Sequence, residues 1–455
     1  MRRLVFLVVL CLAVLTATSA ASAQEDGAIG AWAASPQPPY DAGASQDGFN
    51  DQTVRNIVPV SAGGSALRVR LSNEFGEGPL TVDAVAVALQ DAGAATVPGS
   101  GVELTFGGAP AVRIPAGEEV YSDPVAFQVA PGRNLAVSVY APGATGPVTW
   151  HNLAQQINYV SNRGDHAADV EDTAFSNGHS SSFFVTGVDV YGAAEVGTIV
   201  AFGDSITDGF GSTLNANGRY PDYLARRLLD VPVGERKSVV NAGISGNRIQ
   251  TDSPFFGVRL LDRFDRDVLS QSGVTDVILL EGINDIQHSN SDQERVKPNP
   301  EISAGEVIDG MRQVIDQTHA RGLRIYGATP LPFEGADAFS EEGEEKRQTV
   351  NDFIRNSGEF DGVVDFDAAT RDPANPRRLL PAYDSGDHLH PNDAGYQAMA
   401  NAVDLGLFSP QAAGQLPSTS GPPIEPAILA PVAALILAMC VLGLAVQLRL
   451  SRNEG

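Results

Sequence analysis

The pattern of apolar and polar positions changes near residue 196. From about residue 28 to that point, short segments alternate apolar and polar residues, and glycine and proline separate them. Such alternation places one face of a strand on a core, and regularly spaced short strands are typical of an antiparallel sandwich. The alternating segments are 66–71, 102–106, 120–129, 135–140 and 183–191. We therefore predict an all-β sandwich over residues 24–195.

After residue 196 the pattern becomes an alternation of strands and helices, which is typical of a parallel α/β sheet. Continuous apolar runs predict strands at 198–202, 238–241, 276–280, 324–328 and 363–366. Helical spacing predicts helices near 221–229, 263–270, 303–322, 342–356 and 393–403. The third of these begins at a capping box of Ser303 and Glu306. We predict a separate α/β domain over residues 196–410, and a chain of 455 residues is long enough for two domains.

The first 23 residues have the composition of an export signal. Arg2 and Arg3 form a basic start, residues 4–15 are apolar, and Ala21-Ser22-Ala23 is a small-x-small cleavage site. These three features in this order are typical of a secretory signal peptide. We therefore expect a signal peptide over residues 1–23, with cleavage before Gln24.

A second apolar segment, residues 427–448, carries no formal charge. At about 1.5 Å per residue a helix of this length spans roughly the ~30 Å hydrocarbon layer of a bilayer. The tail that follows, residues 449–455, contains Arg449 and Arg452, and basic residues favour the cytoplasmic side. We expect a transmembrane helix that leaves the folded part outside the cell.

The linker before this segment, residues 411–426, contains Leu416-Pro417-Ser418-Thr419-Ser420. This run resembles the LPxTG sorting signal of sortase-anchored surface proteins, but Ser420 replaces its glycine. Two interpretations stay open: attachment to the cell wall by sortase, or a flexible linker before a permanent membrane anchor. Both place the protein at the outer face of the envelope.

Composition narrows the possible partners and chemistry. The chain has 55 Asp and Glu against 30 Lys and Arg, a formal net charge of −25, so its surface repels the phosphates of nucleic acids. Its two cysteines, Cys11 and Cys440, lie in the two predicted targeting segments. The predicted folded part therefore has no disulfide framework, cysteine-ligated zinc or thiol nucleophile.

Polar residues follow the predicted parallel strands, where open α/β sheets bind ligands. Gly203-Asp204-Ser205 follows the first strand, Gly246 the second and Asn284 the third. Asp387 and His390 follow the fifth, just ahead of the last predicted helix. Serine, histidine, an acidic residue and candidate oxyanion donors thus lie on neighbouring loops.

These are the parts of an ester hydrolase. A serine hydroxyl becomes nucleophilic when a base takes its proton, and a histidine does this near neutral pH when a carboxylate orients it. Ser205, His390 and Asp387 fit these roles. The backbone N–H groups of Ser205 and Gly246 and the side-chain amide of Asn284 fit an oxyanion hole.

The four blocks resemble the SGNH, or GDSL-type, hydrolase superfamily. Gly203-Asp204-Ser205 matches its first block, Gly246 and Asn284 its second and third, and Asp387 with His390 its last. The resemblance implies a flavodoxin-like three-layer α/β/α fold with a Ser-His-Asp triad, and neither metal nor cofactor. The upstream β region is also similar to that of an exported two-domain subgroup related to xylan-cluster esterases.

Several residues have competing interpretations. His388 is a rival to His390 as the base and Asp384 is a rival to Asp387, although the D-x-x-H spacing favours the latter pair. Ser205 would otherwise cap a helix, and Asn284 would otherwise form a turn. We expect Asp208 to be a turn charge or an N-terminal helix charge, with contact to substrate as the alternative. We expect His151 to be a surface or structural residue. The segment Phe333-Glu334-Gly335 either lines the acyl or sugar pocket or is a plain loop.

The expected function is hydrolysis of short acyl, acetyl-type esters on carbohydrate by an exported serine esterase. The substrate is a small-molecule or polysaccharide ester, and the β region is an accessory domain. A lipase or lysophospholipase-type acylhydrolase is the first alternative, since the triad does not distinguish the two. The second is an inactive carbohydrate-binding surface protein, because fold alone does not imply activity.

Overall fold

The computed structural model describes residues 27–289, 291 and 293–409. The predicted signal peptide (1–23), linker (411–426), membrane helix (427–448) and tail (449–455) lie outside these residues. Within the described ranges, no helix combines the length and the apolar character needed to cross a bilayer.

Two large antiparallel sheets and two small two-stranded ones form the described region before residue 196. Its elements in chain order are β1 (Ala28–Ala33), α1 (Ala44–Asp47), β2 (Gln52–Pro59), β3 (Gly64–Ser72), β4 (Leu80–Val82), β5 (Ala84–Leu89), β6 (Val102–Glu103), β7 (Val112–Ile114), β8 (Glu119–Tyr121), β9 (Val125–Val129), β10 (Asn134–Ala141), β11 (Trp150–His151), β12 (Asn158–Arg163), β13 (Phe175–His179), β14 (Ser182–Phe183) and β15 (Val185–Tyr191). One large sheet has the order β1-β15-β3-β8, with β9 also paired to β3, and the other has the order β13-β12-β2-β10-β5-β6. The two small sheets are β4-β7 and β11-β14.

The two large sheets face each other across one core. Leu67 and Val69 of β3 are fully buried in the same cluster as Val137 and Val139 of β10, which belong to the opposite sheet. Alternate positions of a strand point to opposite faces, so Arg68 of β3 points away from this core. The predicted β-rich region is confirmed.

A parallel sheet with surrounding helices forms the rest. Its elements in chain order are β16 (Thr198–Gly203), α2 (Ser205–Asp208), α3 (Tyr220–Leu228), β17 (Ser238–Gly243), α4 (Leu260–Phe264), β18 (Val274–Leu280), α5 (Ile283–Gln287), α6 (Ala304–Ala320), β19 (Arg324–Ala328), α7 (Glu341–Asn356), β20 (Gly362–Val364), α8 (Phe366–Thr370), β21 (Arg371–Asp372), β22 (Asn375–Leu379) and α9 (Asp393–Ala402). A π-helical turn (Asp265–Leu269) continues α4, and short 3₁₀ turns lie at Glu294–Val296 and Leu405–Phe408. The parallel order is β17-β16-β18-β19-β20.

Helices cover both faces of the parallel sheet. Val200 and Phe202 of β16 pack with Phe264 in a core on one face, while Ile199 of the same strand packs with Tyr396 on the other. A strand buried on both faces is continuously apolar, which explains the runs seen in the sequence. The predicted three-layer α/β/α architecture with a parallel sheet is confirmed.

The two regions pack against each other within one compact unit. The Gly30 N–H of β1 donates to the carbonyl oxygen of Ser272 at 2.9 Å and lies 3.2 Å from Thr198 Oγ1. Ala33, at the end of β1, is buried in the same core as Val240 of β17. The β region therefore lies directly beside the edge of the parallel sheet.

Candidate active site

A tight turn at the end of β16 presents Ser205. Asp204 caps the short helix α2, because its Oδ1 accepts the Ile206 N–H at 2.9 Å. Gly203 allows the turn to lie against β18, since a Cβ at this position would be 2.1 Å from the Leu280 carbonyl oxygen. Ser205 is the first residue of α2, and its side chain lines a pocket.

His390 and Asp387 meet Ser205 from the loop before α9. Ser205 Oγ lies 2.8 Å from His390 Nε2, and His390 Nδ1 lies 2.6 Å from Asp387 Oδ2. Asp387 Oδ1 also accepts the N–H groups of Leu389 and His390, at 3.0 and 2.8 Å. The pKa of Asp387 lies well below its usual range. Partial burial alone would raise this pKa, but the hydrogen bonds from His390 and Leu389 and the charge of His390 have the larger, opposite effect.

The rival pair is present but separate. His388 Nδ1 lies 2.5 Å from Asp384 Oδ2, and the His388 side chain is about half exposed on the pocket rim. Asp384 Oδ1 accepts the N–H groups of Gly386 and His388, so this carboxylate stabilises the loop turn. The structure therefore places His390 with Asp387, and not His388 with Asp384, next to Ser205.

Gly246 and Asn284 line the same pocket as Ser205. Asn284 Oδ1 accepts a hydrogen bond from Gln287 at 2.8 Å, and its Nδ2 donates to the Asn247 carbonyl oxygen at 3.0 Å. These two bonds fix the orientation of the amide, whose Nδ2 has a second hydrogen.

Gly246 adopts a left-handed backbone with φ of +80°. A Cβ at this position would lie 2.0 Å from the ring of Phe256. Only glycine therefore fits both the backbone and the space here.

Arg263 is a buried residue of the site that the motifs do not identify. Its guanidinium lies beneath the strand ends, donating from Nη2 to the Gly203 carbonyl oxygen at 2.9 Å and from Nη1 to that of Ala242 at 2.8 Å. Its Nε donates to Asn247 Oδ1 at 2.8 Å, and Asp267 provides the countercharge at 3.0 Å. A basic residue in a predicted helix is visible in the sequence, but no spacing rule names its partners.

Three buried carboxyl groups belong to the two segments that carry Ser205 and Asn284: Asp204, Glu281 and Asp285. Burial raises the pKa of Asp204 to about 7 and that of Asp285 to about 6, and it raises that of Glu281 well above its usual value. Asp285 accepts the N–H groups of Ile249 and Gln250, at 2.9 and 3.1 Å, so it anchors the segment after Gly246. Asp285 thus has a structural role.

Asp208 lies in the first turn of α2, as predicted, and it also has partners that the sequence did not indicate. It is 1% exposed and makes hydrogen bonds to His151 and Ser245. His151, predicted to be either a surface or a structural residue, is buried. Its contact with Asp208 had no signal in the sequence.

The pocket around Ser205 has a volume of about 700 Å³. Polar and apolar side chains are interleaved in its wall. The polar ones include Gln287, His288, Gln293, Asp337 and His388, and the apolar ones include Phe210, Phe256, Val296, Ala336 and Leu389. Of the segment Phe333-Glu334-Gly335, Gly335 lines the pocket, Phe333 is fully buried and Glu334 pairs with Arg378. Within the described part of the chain, no cluster of three or more His, Cys, Asp or Glu side chains could hold a metal ion.

Comparison with solved structures finds similar α/β domains. They include the acetyl xylan esterase AlAXEase, with 22% identity over 45% of this chain and 96% of that one and a TM-score of 0.33. The acetylxylan esterase Axe2 of Geobacillus stearothermophilus has 25% identity over 46% of this chain and 94% of that one, with a TM-score of 0.35. A GDSL-like lipase of Bacteroides thetaiotaomicron VPI-5482 has 18% identity over 46% and 87%, with a TM-score of 0.34. Among curated proteins no match was found.

The sequence profile of one family matches the α/β region. Residues 201–398 match the GDSL-like lipase/acylhydrolase family, and this range contains Ser205, Gly246, Asn284, Asp387 and His390. Residues 201–398 are therefore a GDSL-like lipase/acylhydrolase domain, and the protein is a carboxylic ester hydrolase.

Proposed function

We propose that the protein is a serine esterase in which Ser205 is the nucleophile, His390 the general base and Asp387 the residue that orients the histidine. One observation carries this proposal: an unbroken hydrogen-bonded line of 2.8 and 2.6 Å joins the Ser205 hydroxyl, the imidazole and the carboxylate. A general base must lie within hydrogen-bond reach of the proton that it takes, and this geometry meets that condition.

The reaction follows from these contacts. Ser205 Oγ forms a bond to the ester carbonyl carbon while its proton moves to His390 Nε2. Asp387 accepts the Nδ1–H and stabilises the imidazolium. Collapse of the tetrahedral intermediate breaks the bond to the alcohol, which takes the proton from Nε2 and leaves an acyl-serine. Water, deprotonated by His390, then attacks the acyl group, and Ser205 recovers its proton as the acid departs.

The oxyanion of each tetrahedral intermediate needs donors fixed in advance. We assign this role to the backbone N–H groups of Ser205 and Gly246 and to Asn284 Nδ2. The bonds from Gln287 and to Asn247 support the assignment, because they hold the Asn284 amide without using both hydrogens of Nδ2.

The substrate that we propose is a short acyl, acetyl-type ester on carbohydrate. Polar side chains such as Gln287, Asp337 and His388 stand in the pocket wall between apolar ones, and they offer hydrogen-bonding groups to a hydroxyl-rich ligand. A long acyl chain would need a continuous apolar groove. We also propose an extracellular location, with attachment to the membrane or cell wall, on the basis of segments 1–23 and 411–448.

The test compares the full chain with Ser205→Ala on acetyl, butyryl and octanoyl esters of 4-nitrophenol, and then measures acetate release from acetylated xylan. Ser357→Ala is the matched control, because Ser357 is an exposed serine at the end of α7. We expect Ser205-dependent turnover that falls with acyl length, together with acetate release. A preference for octanoate would assign a lipid-type ester instead, and turnover unchanged in Ser205→Ala would refute the serine mechanism.

A further inference from the structure

The β region contacts the nucleophile turn through a buried histidine. His151, on β11, is 5% exposed, and its Nε2 lies 3.0 Å from Oδ1 of Asp208. Its Nδ1 lies 2.9 Å from the carbonyl oxygen of Ser35, a residue that follows β1. Asp208 is the last residue of α2, the helix that Ser205 begins.

Both ring nitrogens of His151 face oxygen acceptors. The Ser35 carbonyl can only accept, so Nδ1 carries a hydrogen, and the Asp208 carboxylate requires a hydrogen on Nε2. Burial lowers the pKa of His151, and the nearby Arg219 charge lowers it as well. The Asp208 charge and the two hydrogen bonds outweigh these effects, so the pKa is raised overall. His151 and Asp208 therefore form a buried imidazolium–carboxylate pair.

The second oxygen of Asp208 reaches the loop that contains Gly246. Asp208 Oδ2 accepts both the backbone N–H and the hydroxyl of Ser245, each at 2.9 Å. Ser245 immediately precedes Gly246, whose N–H we assigned to the oxyanion hole. One carboxylate thus links the turn that carries Ser205 to the loop that carries Gly246.

Two further contacts connect the same parts of the molecule. Gln155 Nε2, also from the β region, donates to the Gly209 carbonyl oxygen at 2.8 Å, just after α2. The Ser35 hydroxyl lies 3.2 Å from Nη1 of Arg263, which holds the strand ends. The β region therefore fixes the nucleophile turn at its end as well as through His151.

We propose that His151 is a positioning residue of the esterase: it holds the Asp208 carboxylate so that the spacing between Ser205 and the Gly246 N–H fits the oxyanion. The β region then completes the active site without contacting substrate. This inference rests on the proposed serine-esterase function. Displacement of a catalytic group by about 1 Å can cost on the order of 10²-fold in rate, so a contact of this kind affects kcat.

The test uses the full chain and a 4-nitrophenyl acetate assay that yields kcat and KM separately. His151→Phe keeps the volume but removes both donors, and we expect kcat to fall about 10- to 100-fold with KM changed less than about threefold. His151→Gln, which can still donate one hydrogen bond to Asp208, should restore part of the loss. Glu74→Gln is the matched control, because it breaks a 3.2 Å ion pair between the two regions, with Arg266, and should leave kcat within about twofold.

Coupling shows whether His151 acts through Asp208. We expect Asp208→Asn to lower kcat to a similar extent and the double variant with His151→Phe to be no worse than the worse single variant. Losses that multiply, or a folded His151→Phe with kcat within twofold of the parent, would overturn the inference. If His151→Phe does not fold, the test uses Asp208→Asn and Ser245→Ala instead. Wild-type kcat in both of these variants would also overturn the inference. Ser205→Ala distinguishes failure of the esterase mechanism from failure of the role of His151. Activity that survives in Ser205→Ala rejects the esterase mechanism. Activity that depends on Ser205 but has normal kcat in the His151 and Asp208 variants rejects only the role of His151.

Discussion

Two histidine–aspartate pairs meet at the short helix α2, and they differ in what they can do: the α/β region provides both members of the first, His390 and Asp387, whereas in the second His151 of the β region pairs with Asp208 of the helix itself. His390 has one carboxylate acceptor, at Nδ1, and its other nitrogen faces the Ser205 hydroxyl at the pocket. His151 has an acceptor at both nitrogens and is buried. A histidine of the first kind can take and return a proton, whereas one of the second kind is held at both nitrogens and serves as a clamp. The group that faces Nε2 therefore determines the role of each histidine: a hydroxyl for the base His390 and a carboxylate for the structural His151.

The largest expected effect on turnover separates His390 from its neighbour His388. His390→Ala should lower kcat by about 10⁴-fold or more, because it removes the group that lies 2.8 Å from the Ser205 hydroxyl and takes its proton. His388→Ala should lower it by less than about tenfold, because His388 pairs with Asp384 at the rim. Steady-state kinetics on 4-nitrophenyl acetate measures both. Equal losses in the two variants would show that the base has been misassigned.

Removal of one oxyanion donor should have the next largest effect. Asn284→Ala should lower kcat by about 10²- to 10³-fold with little change in KM, because the donor acts on the transition state. Gln287→Ala should lower kcat less, since Gln287 acts on the oxyanion through the Asn284 amide, to which it donates at 2.8 Å. If Gln287→Ala is the more damaging variant, Gln287 and not Asn284 is the group that faces the oxyanion.

A side chain at Gly246 should affect both turnover and stability. Gly246→Ala combines a left-handed backbone with a Cβ only 2.0 Å from Phe256, so we expect at least about tenfold lower kcat and a loss of about 2 kcal/mol or more in unfolding free energy. Gly358→Ala is the control, because φ there is +70° but nothing lies within 4 Å of the new Cβ. It should cost about 1 kcal/mol and leave kcat unchanged. Equal destabilisation in denaturant titrations would show that the contact with Phe256 is unimportant.

Substitution of the buried carboxyl group of Asp204 should have the smallest effect on turnover and should mainly change the pH dependence of stability. Burial raises the pKa of Asp204 to about 7 from an ordinary value of 3.8, so the folded state binds more protons than the unfolded state between these pH values. Protonated Asp204 therefore contributes its full share of the unfolding free energy below pH 4, and this contribution is lost as the pH rises to about 7. Asp204→Asn keeps the acceptor for the Ile206 N–H and removes this loss. Its Tm relative to the parent should therefore increase by about 5 °C from pH 4 to pH 8, and a difference that does not change with pH would contradict the raised pKa.

Most of the α/β region could be predicted from the sequence because its signals are local. A strand that is buried on both faces is a continuous apolar run, so β16, β18 and β19 lie close to their predicted positions. The α6 cap also forms as predicted: Ser303 Oγ accepts the Glu306 N–H at 3.2 Å and Glu306 accepts the Ser303 N–H at 2.8 Å. The proximity of Ser205, Asn284 and His390 followed from the rule that parallel strands end at one edge.

The β region was harder to predict because its buried positions include polar side chains. Strand β2 (Gln52–Pro59) was missed, since Arg55 and Asn56 interrupt its apolar pattern. Arg55 is buried because its guanidinium donates to Ser138 Oγ at 2.8 Å and to the Asp169 carbonyl oxygen at 2.8 Å. Such partners are distant in the sequence and have no local signal.

The same limit applies to the site. Asp387 and His390 are three residues apart, and a spacing rule could identify them together. His151 and Asp208 are 57 residues apart in different regions, and Arg263 reaches strand ends contributed by other elements. Contacts of this kind depend on how two regions pack, and periodicity carries no information about that packing.

The most direct test of the central claim is to map the residue that a phosphonate ester of 4-nitrophenol modifies. Such a reagent forms a bond to an activated serine and mimics the tetrahedral intermediate. Mass spectrometry of the digested full chain should show one adduct, on Ser205, formed at least about 10³-fold more slowly in His390→Ala, whose base is missing. An adduct on another residue, or equal labelling rates with and without His390, would contradict the account.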